Sequence, residues 1–219
     1  MKIEILREIP FNELRRMIRG VPLMQKKGEE DKSKIFVYEN ANISLKKFKY
    51  DEVNPPTFYL IKENLDLQRE LRSSLLSDHG LDSLNLDCAL EISIDGGAKA
   101  TLTPPIIEVT ERKVSYVPQD GEIDYSDKAA KIKIPLICDG AHRVFLAKEK
   151  NEYFTGVNIS GVNPEYPYYA HPNGWDKVNI VDTVPKTLEE KKFYRYEDCY
   201  ALYRNFGVIG CGKPRGVGK

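Results

Sequence analysis

The chain has 219 residues and a mass of 25.1 kDa, which suits one domain with appendages, given roughly 100–200 residues per domain. Hydrophobic residues at 41% and charged residues at 30% exclude wholesale disorder. Thirty-three Lys and Arg balance 33 Asp and Glu, so the chain lacks the basic excess of a typical duplex-DNA binder, and nucleic acid is a disfavoured partner that stays open.

The charge is unevenly spread. Residues 1–50 carry twelve bases and seven acids, 51–130 seven and sixteen, and 131–219 fourteen and ten. The longest apolar run, near 134–138, is far short of the ~20 residues that span a bilayer. The opening Met1-Lys2-Ile3-Glu4-Ile5-Leu6 mixes charges into its apolar residues, unlike a signal peptide. Cys88, Cys138, Cys199 and Cys211 are widely spaced with no CxxC, which gives the expectation of reduced thiols in a cytoplasmic protein and of no zinc site.

In chain order, residues 3–9 alternate apolar with charged and predict a strand or a helical lead-in. Residues 11–18 predict an amphipathic helix from Phe11, Leu14 and Ile18, with Asn12 as cap. Residues 26–34 are a polar loop, 35–38 and 58–61 are short strands, and Asn54-Pro55-Pro56 breaks the chain before the second. Residues 65–76 give the firmest helix of the first half. Leu67, Leu71, Leu75 and Leu76 form its stripe, Asn64 or Asp66 its cap, and Gly80 its stop.

Residues 89–94 and 101–103 read as a hairpin around Asp95-Gly96-Gly97, and 105–109, 113–118 and 131–138 as further strands. Residues 119–121 are a turn, and 124–128 a loop or single helical turn. Strands outnumber helices with no βαβα rhythm, so the fold class is α+β with a mixed sheet.

The segment that carries chemistry is Asp139-Gly140-Ala141-His142-Arg143. An apolar strand ends there, Gly140 turns the chain, and a helix begins. Such a corner gathers unpaired N–H groups and the positive end of the helix dipole, which together attract phosphate. His142 and Arg143 stand in the first turn, where their side chains can reach phosphate oxygens. Asp139 suits a metal contact, a substrate amine or a proton acceptor; equally, it can simply cap the helix while Arg143 pairs with a surface carboxylate.

These five residues resemble the nucleotide-binding signature of the ParB/sulfiredoxin-like fold, whose members include sulfiredoxins, ParB partition proteins and free serine kinases. Upstream, Leu71-Arg72-Ser73-Ser74-Leu75-Leu76-Ser77-Asp78-His79-Gly80-Leu81 is similar to the ParB helix that ends in His-Gly, and Thr103-Pro104-Pro105-Ile106 to a strand opening with Pro-Ile. Residues 158–162 match the strand after the motif helix. The resemblance covers 57–162, with insertions at 82–102 and 110–131. Ala141 stands where sulfiredoxins place their cysteine, so sulfinic-acid reduction is not expected. The Asp-Gly-x-His-Arg form is closest to free serine kinases.

The resemblance implies that Gly140, Ala141, His142 and Arg143 hold the phosphates of ATP or ADP with Mg2+. It also implies that a carboxylate near Glu63 or Asp66, with Glu70 third, acts as base together with Asp139. Ser73 and Ser74 would donate hydroxyls to phosphate, or stay solvated. Residues 163–175 hold Tyr166, Tyr168, Tyr169, His171 and Trp175 among three prolines; Tyr168 and Trp175 would wall a substrate pocket, or the loop packs as extra core. The GxxxxGK string at 207–213 is followed by Pro214 rather than Ser or Thr, so it is no Walker loop.

The expected layout is an N-terminal decoration over 1–56, a nucleotide-binding domain over 57–162, and an aromatic loop with basic tail over 163–219. The expected function is phosphoryl transfer between a nucleotide and a small hydroxyl substrate such as a hydroxy amino acid. The alternatives are a ParB-like DNA-associated nuclease or nucleotide-gated DNA clamp, and a noncatalytic nucleotide sensor.

Overall fold

The alternation at the start of the chain becomes strand β1 (Ile3–Ile9), and α1 (Phe11–Arg19) follows directly, burying Leu14 and Ile18. Pro10, not Asn12, occupies the N-cap; its backbone carbonyl accepts from the N–H groups of Glu13 and Leu14, and Asn12 lies inside the helix. The computed structural model describes residues 1–24, 35–97, 99–114, 130–195 and 200–211. The expectations placed on 26–34, 115–121, 124–128 and 212–219, and on Cys199, lie outside the described residues.

Residues 35–38, expected as a strand, form no strand; the chain turns over 37–40 and buries Val37 and Tyr38 as it does so. The strand comes later, as β2 (Asn42–Phe48). Then follow β3 (Tyr59–Ile61), α2 (Lys62–His79), β4 (Ala89–Ile94), β5 (Lys99–Leu102), β6 (Ile106–Val114), β7 (Ala130–Asp139), α3 (Ala141–Lys150), β8 (Phe154–Ser160), β9 (Asn179–Val181) and α4 (Leu188–Lys191). Gly80 ends α2 in the left-handed conformation at φ 66, as its position suggested. No side chain caps the start of α2, so neither Asn64 nor Asp66 does so. Its buried stripe is Leu65, Leu71 and Leu75, while Leu67 and Leu76 remain exposed.

The fold is α+β with a mixed sheet. The four-stranded sheet has the order β2-β8-β6-β7, antiparallel at both ends and parallel where Ile106 of β6 faces Val157 of β8. A three-stranded antiparallel sheet has the order β1-β4-β5, and β3 pairs in parallel with β9. Two strands from the first 56 residues are therefore built into the sheets: β1 pairs with β4, and β2 with β8.

Helix α3 packs Val144 and Ala147 onto Phe48, Ile107, Ile137 and Phe154 of the four-stranded sheet. Helix α2 packs Leu71 and Leu75 onto Ile3, Leu90, Ile92 and Leu102 of the three-stranded sheet. The two helices touch each other. None of the described helices is long and apolar enough to cross a membrane.

A buried ion pair fastens the C-terminal segment to this frame. Arg204 and Glu108 both have side chains 1% exposed, joined through Nη2 to Oε1 at 3.0 Å and Nε to Oε2 at 3.1 Å. Tyr38 also donates to Glu108 Oε2 at 2.7 Å, and the remaining Arg204 donors meet the carbonyls of Tyr166, Pro167 and Leu202. Burial alone would lower the pKa of Arg204; the Glu108 carboxylate outweighs it and raises that pKa.

Candidate functional site

Strand β7 runs through Asp139 into Gly140 and then straight into α3. Gly140 holds φ +87, which L side chains avoid, and a Cβ there would lie 3.0 Å from both Pro105 and the Arg143 guanidinium. Only glycine fits. The first intrahelical bond is Val144 N–H to the Gly140 carbonyl at 3.0 Å. Among the described residues no acceptor meets the N–H groups of Ala141, His142 and Arg143.

Ala141 and His142 stand at the edge of a cleft of about 510 Å3. Its floor is the end of β7 (Ile137, Cys138, Asp139) with Gly140, Ala141 and His142. One wall comes from β3 and the start of α2, through Thr57, Tyr59, Leu60 and Asn64; the other comes from α4 and its flanks, through Val184, Leu188, Lys191, Lys192 and Tyr194. Asp139 is the sole carboxylate among the described residues lining it, facing two lysines. Lys192 is buried, with Nζ donating to the Tyr169 hydroxyl and lying 4.8 Å from that ring's centre.

Two of the motif's side chains are committed to the protein itself. Nε2 of His142 accepts the Ile61 N–H at 3.2 Å, which ties the start of α2 to the start of α3 and leaves the proton on Nδ1. Burial, helped by the neighbouring Arg143 charge, depresses the His142 pKa to about 4, so the ring is neutral at physiological pH. Arg143 is buried and does not line the cleft. Its Nη1 donates to the Thr103 carbonyl and its Nη2 lies 3.3 Å from Asp139. Burial lowers its pKa, against the pull of Asp139.

The other expected residues are dispersed. Glu63 is exposed in the first turn of α2 and does not line the cleft. Asp66 pairs with Arg69 at 2.6 Å, and Glu70 with the chain's amino terminus at 3.1 Å. Ser73 is exposed, and Ser74 donates to the Met1 carbonyl at 3.0 Å. Tyr168 is buried in a cluster with Tyr169 and Leu136. Trp175 covers Phe145 of α3, its indole N–H shared between the carbonyls of Tyr50 and Val53 at 2.9 and 3.1 Å. Cys138 lines the cleft, yet burial and the Glu108 charge push its thiol well above the usual range, which disfavours the thiolate.

Sequence reasoning missed Lys191 and Lys192, which look like part of an exposed charged run. Their placement depends on the β3–β9 pairing and on the Phe58 N–H bonding the Lys191 carbonyl at 3.0 Å. It also missed Asn64, whose segment was read only as a helix cap.

A family model described as the ParB CE domain matches residues 13–179, taking in the 139–143 corner and all of α2 and α3. The cleft wall at Val184–Tyr194 lies beyond that match. No curated protein and no solved structure matches the chain.

Proposed function

The chain belongs to the ParB CE domain family, and from that premise we propose that it binds the phosphates of a nucleoside di- or triphosphate in the cleft above α3. We further propose that it passes the terminal phosphoryl group to a small hydroxyl compound, as in the kinase-like branch of the ParB/sulfiredoxin-like proteins. The observation that carries the reading is the pair of unpaired N–H groups at Ala141 and His142, on residues that line a cleft with two lysines and one carboxylate, with the unpaired Arg143 N–H next in the same helical turn. Helix amides and dipole favour phosphate there, and the cleft's volume falls in the range of about 300–1,000 Å3 typical of ligand sites.

Mg2+ suits this donor set only as a passenger on the nucleotide. Asp139 would be its one protein ligand, and among the described residues no group of three His, Cys, Asp or Glu converges on a metal position; magnesium commonly binds through one or two carboxylates plus phosphate oxygens. When bound, it would neutralise phosphate charge. The chain's own part is positioning. The amides grip the phosphates, Lys192 adds positive charge, and Gly140 keeps the corner tight. Asp139 replaces Glu63 as the carboxylate assigned to the acceptor. The acceptor oxygen bonds the terminal phosphorus, the bond from that phosphorus to its bridging oxygen breaks, and the acceptor's proton passes to Asp139.

The test is thermal unfolding with ATP, ADP, CTP and GTP, each with and without Mg2+, followed by phosphorus NMR with a hydroxyl acceptor. A nucleotide at a hundredfold its Kd stabilises by about 2.7 kcal/mol, or roughly 5–10 °C for a chain of this size. Lys192→Met should remove most of that shift, and Asp139→Asn should keep binding while abolishing transfer. No shift with any nucleotide would refute the site. A shift with no transfer would favour the noncatalytic sensor, a reading that Glu63, Asp66 and Glu70 standing away from the cleft already supports.

A further inference from the structure

Beside the same corner lies a second chamber of about 310 Å3. It occupies the gap between α2 and the edge of the three-stranded sheet. Leu67 and Leu71 line it from the helix, and Ile92, Ile94, Ala100 and Leu102 from β4 and β5. At one end the lining turns polar, with Asn64, Gln68, Asp139 and Arg143. Asn64, Asp139, Gly140 and His142 line both spaces, so the two adjoin at the corner. The β4–β5 hairpin forms one side of the chamber.

Its electrostatics restrict what can enter. Arg143 is the one cation among the chamber's described lining, and its guanidinium is already held by the Thr103 carbonyl and Asp139. What remains on offer at the polar end is mainly acceptor: the Asp139 carboxylate and the Gln68 Oε1, which is buried with no hydrogen-bond partner. A buried acceptor without a donor is destabilising, and a ligand amine or hydroxyl would relieve it. The rest of the lining is mainly aliphatic, interrupted by Thr101, His142 and Cys211.

We propose that this chamber holds the phosphoryl acceptor, and that the acceptor is an amino alcohol with a branched aliphatic body. Its hydrocarbon lies against Leu67, Leu71, Ile92 and Leu102, and its amine and hydroxyl face Gln68 and Asp139. The proposal rests on the nucleotide reading above for the transfer step, and on the chamber alone for binding. Highly polar acceptors such as serine or a sugar would leave the aliphatic wall in contact with polar groups or water.

The probe is leucinol, titrated into the full chain by calorimetry, with serine and glucose as comparisons and ATP with Mg2+ followed separately. Leucinol should bind at least tenfold more tightly than serine or glucose. Ala100→Trp, on exposed edge strand β5, fills the chamber and should weaken leucinol at least tenfold while leaving ATP affinity within twofold. Leu67→Glu, on the exposed side of α2, should act the same way and serves if the tryptophan variant fails to fold. Leucinol binding no better than serine, or unchanged in both variants, overturns the proposal. Leucinol binding that both variants abolish, with no ATP binding, upholds the chamber and overturns the nucleotide site instead.

Discussion

Replacing Gly140 with alanine isolates the geometry of the corner, with Gly80→Ala as its control. Both glycines have positive φ, +87 and +66, but a Cβ at Gly80 meets nothing within 4 Å, whereas one at Gly140 meets Pro105 backbone and side-chain atoms and the Arg143 guanidinium at 3.0 Å. At either site a left-handed alanine costs about 1–2 kcal/mol, offset by about 0.4–1 kcal/mol from the stiffer unfolded chain. Gly80→Ala should therefore lose about 0.5–1 kcal/mol. Gly140→Ala adds an overpacking cost of roughly 1–3 kcal/mol, because Pro105 cannot swing aside as the end of a flexible side chain can, for a total near 2–4 kcal/mol. Urea unfolding followed by circular dichroism measures both, with the slope m expected to stay constant. Equal losses for the two variants would refute the close packing of Pro105, Gly140 and Arg143.

Three further outcomes follow from the same structure. The His142 imidazole, with its pKa lowered to about 4, should show no NMR titration between pH 5 and 8. Since the unfolded ring takes up a proton below about 6.5 and the folded one only near 4, this residue should cost stability as pH falls through that window, by up to about 3 kcal/mol. A midpoint near 6 would contradict its burial. Arg204→Met strands the Glu108 charge and should cost about 3–5 kcal/mol, while Arg204→Met with Glu108→Leu should recover most of the loss; additive losses in urea unfolding would refute the pairing. Burial pushes the Cys211 thiol up to about 12 and the Cys138 thiol well above its usual value, so both should resist iodoacetamide at pH 8 until the chain unfolds. Mass spectrometry reads this, and rapid native labelling of either would contradict it.

The corner at 139–143 was legible because its signals are local: an apolar run, a glycine and then helical periodicity, all within a dozen residues. The stop at Gly80 and the β4–β5 turn were legible for the same reason. What escaped the sequence depends on distant partners. β2 is an edge strand whose Lys46 and Lys47 interrupt the apolar alternation. β9 has three residues and exists only because β3 lies beside it. Lys192 enters the cleft by standing on Tyr169, a contact no periodicity announces. Residues 35–38 carry strand-like side chains, but their burial is met in a turn. Arg143 fits the phosphate-binding pattern in sequence and yet spends its guanidinium on Thr103 and Asp139, since the short distance across the corner favours that pairing. One signal was available and unused: Glu108, set among Ile106, Ile107 and Val109, is an acid in a buried strand and so demands a cation, which Arg204 supplies.

The most direct test of the phosphate site is a nitrogen–proton correlation spectrum of the labelled chain titrated with ATP and Mg2+. The backbone amides of Ala141, His142 and Arg143 should move downfield by more than any others, saturating together with the phosphorus signals of the nucleotide. Amides that stay still while ATP binds elsewhere, or while no binding occurs up to millimolar nucleotide, would contradict the account.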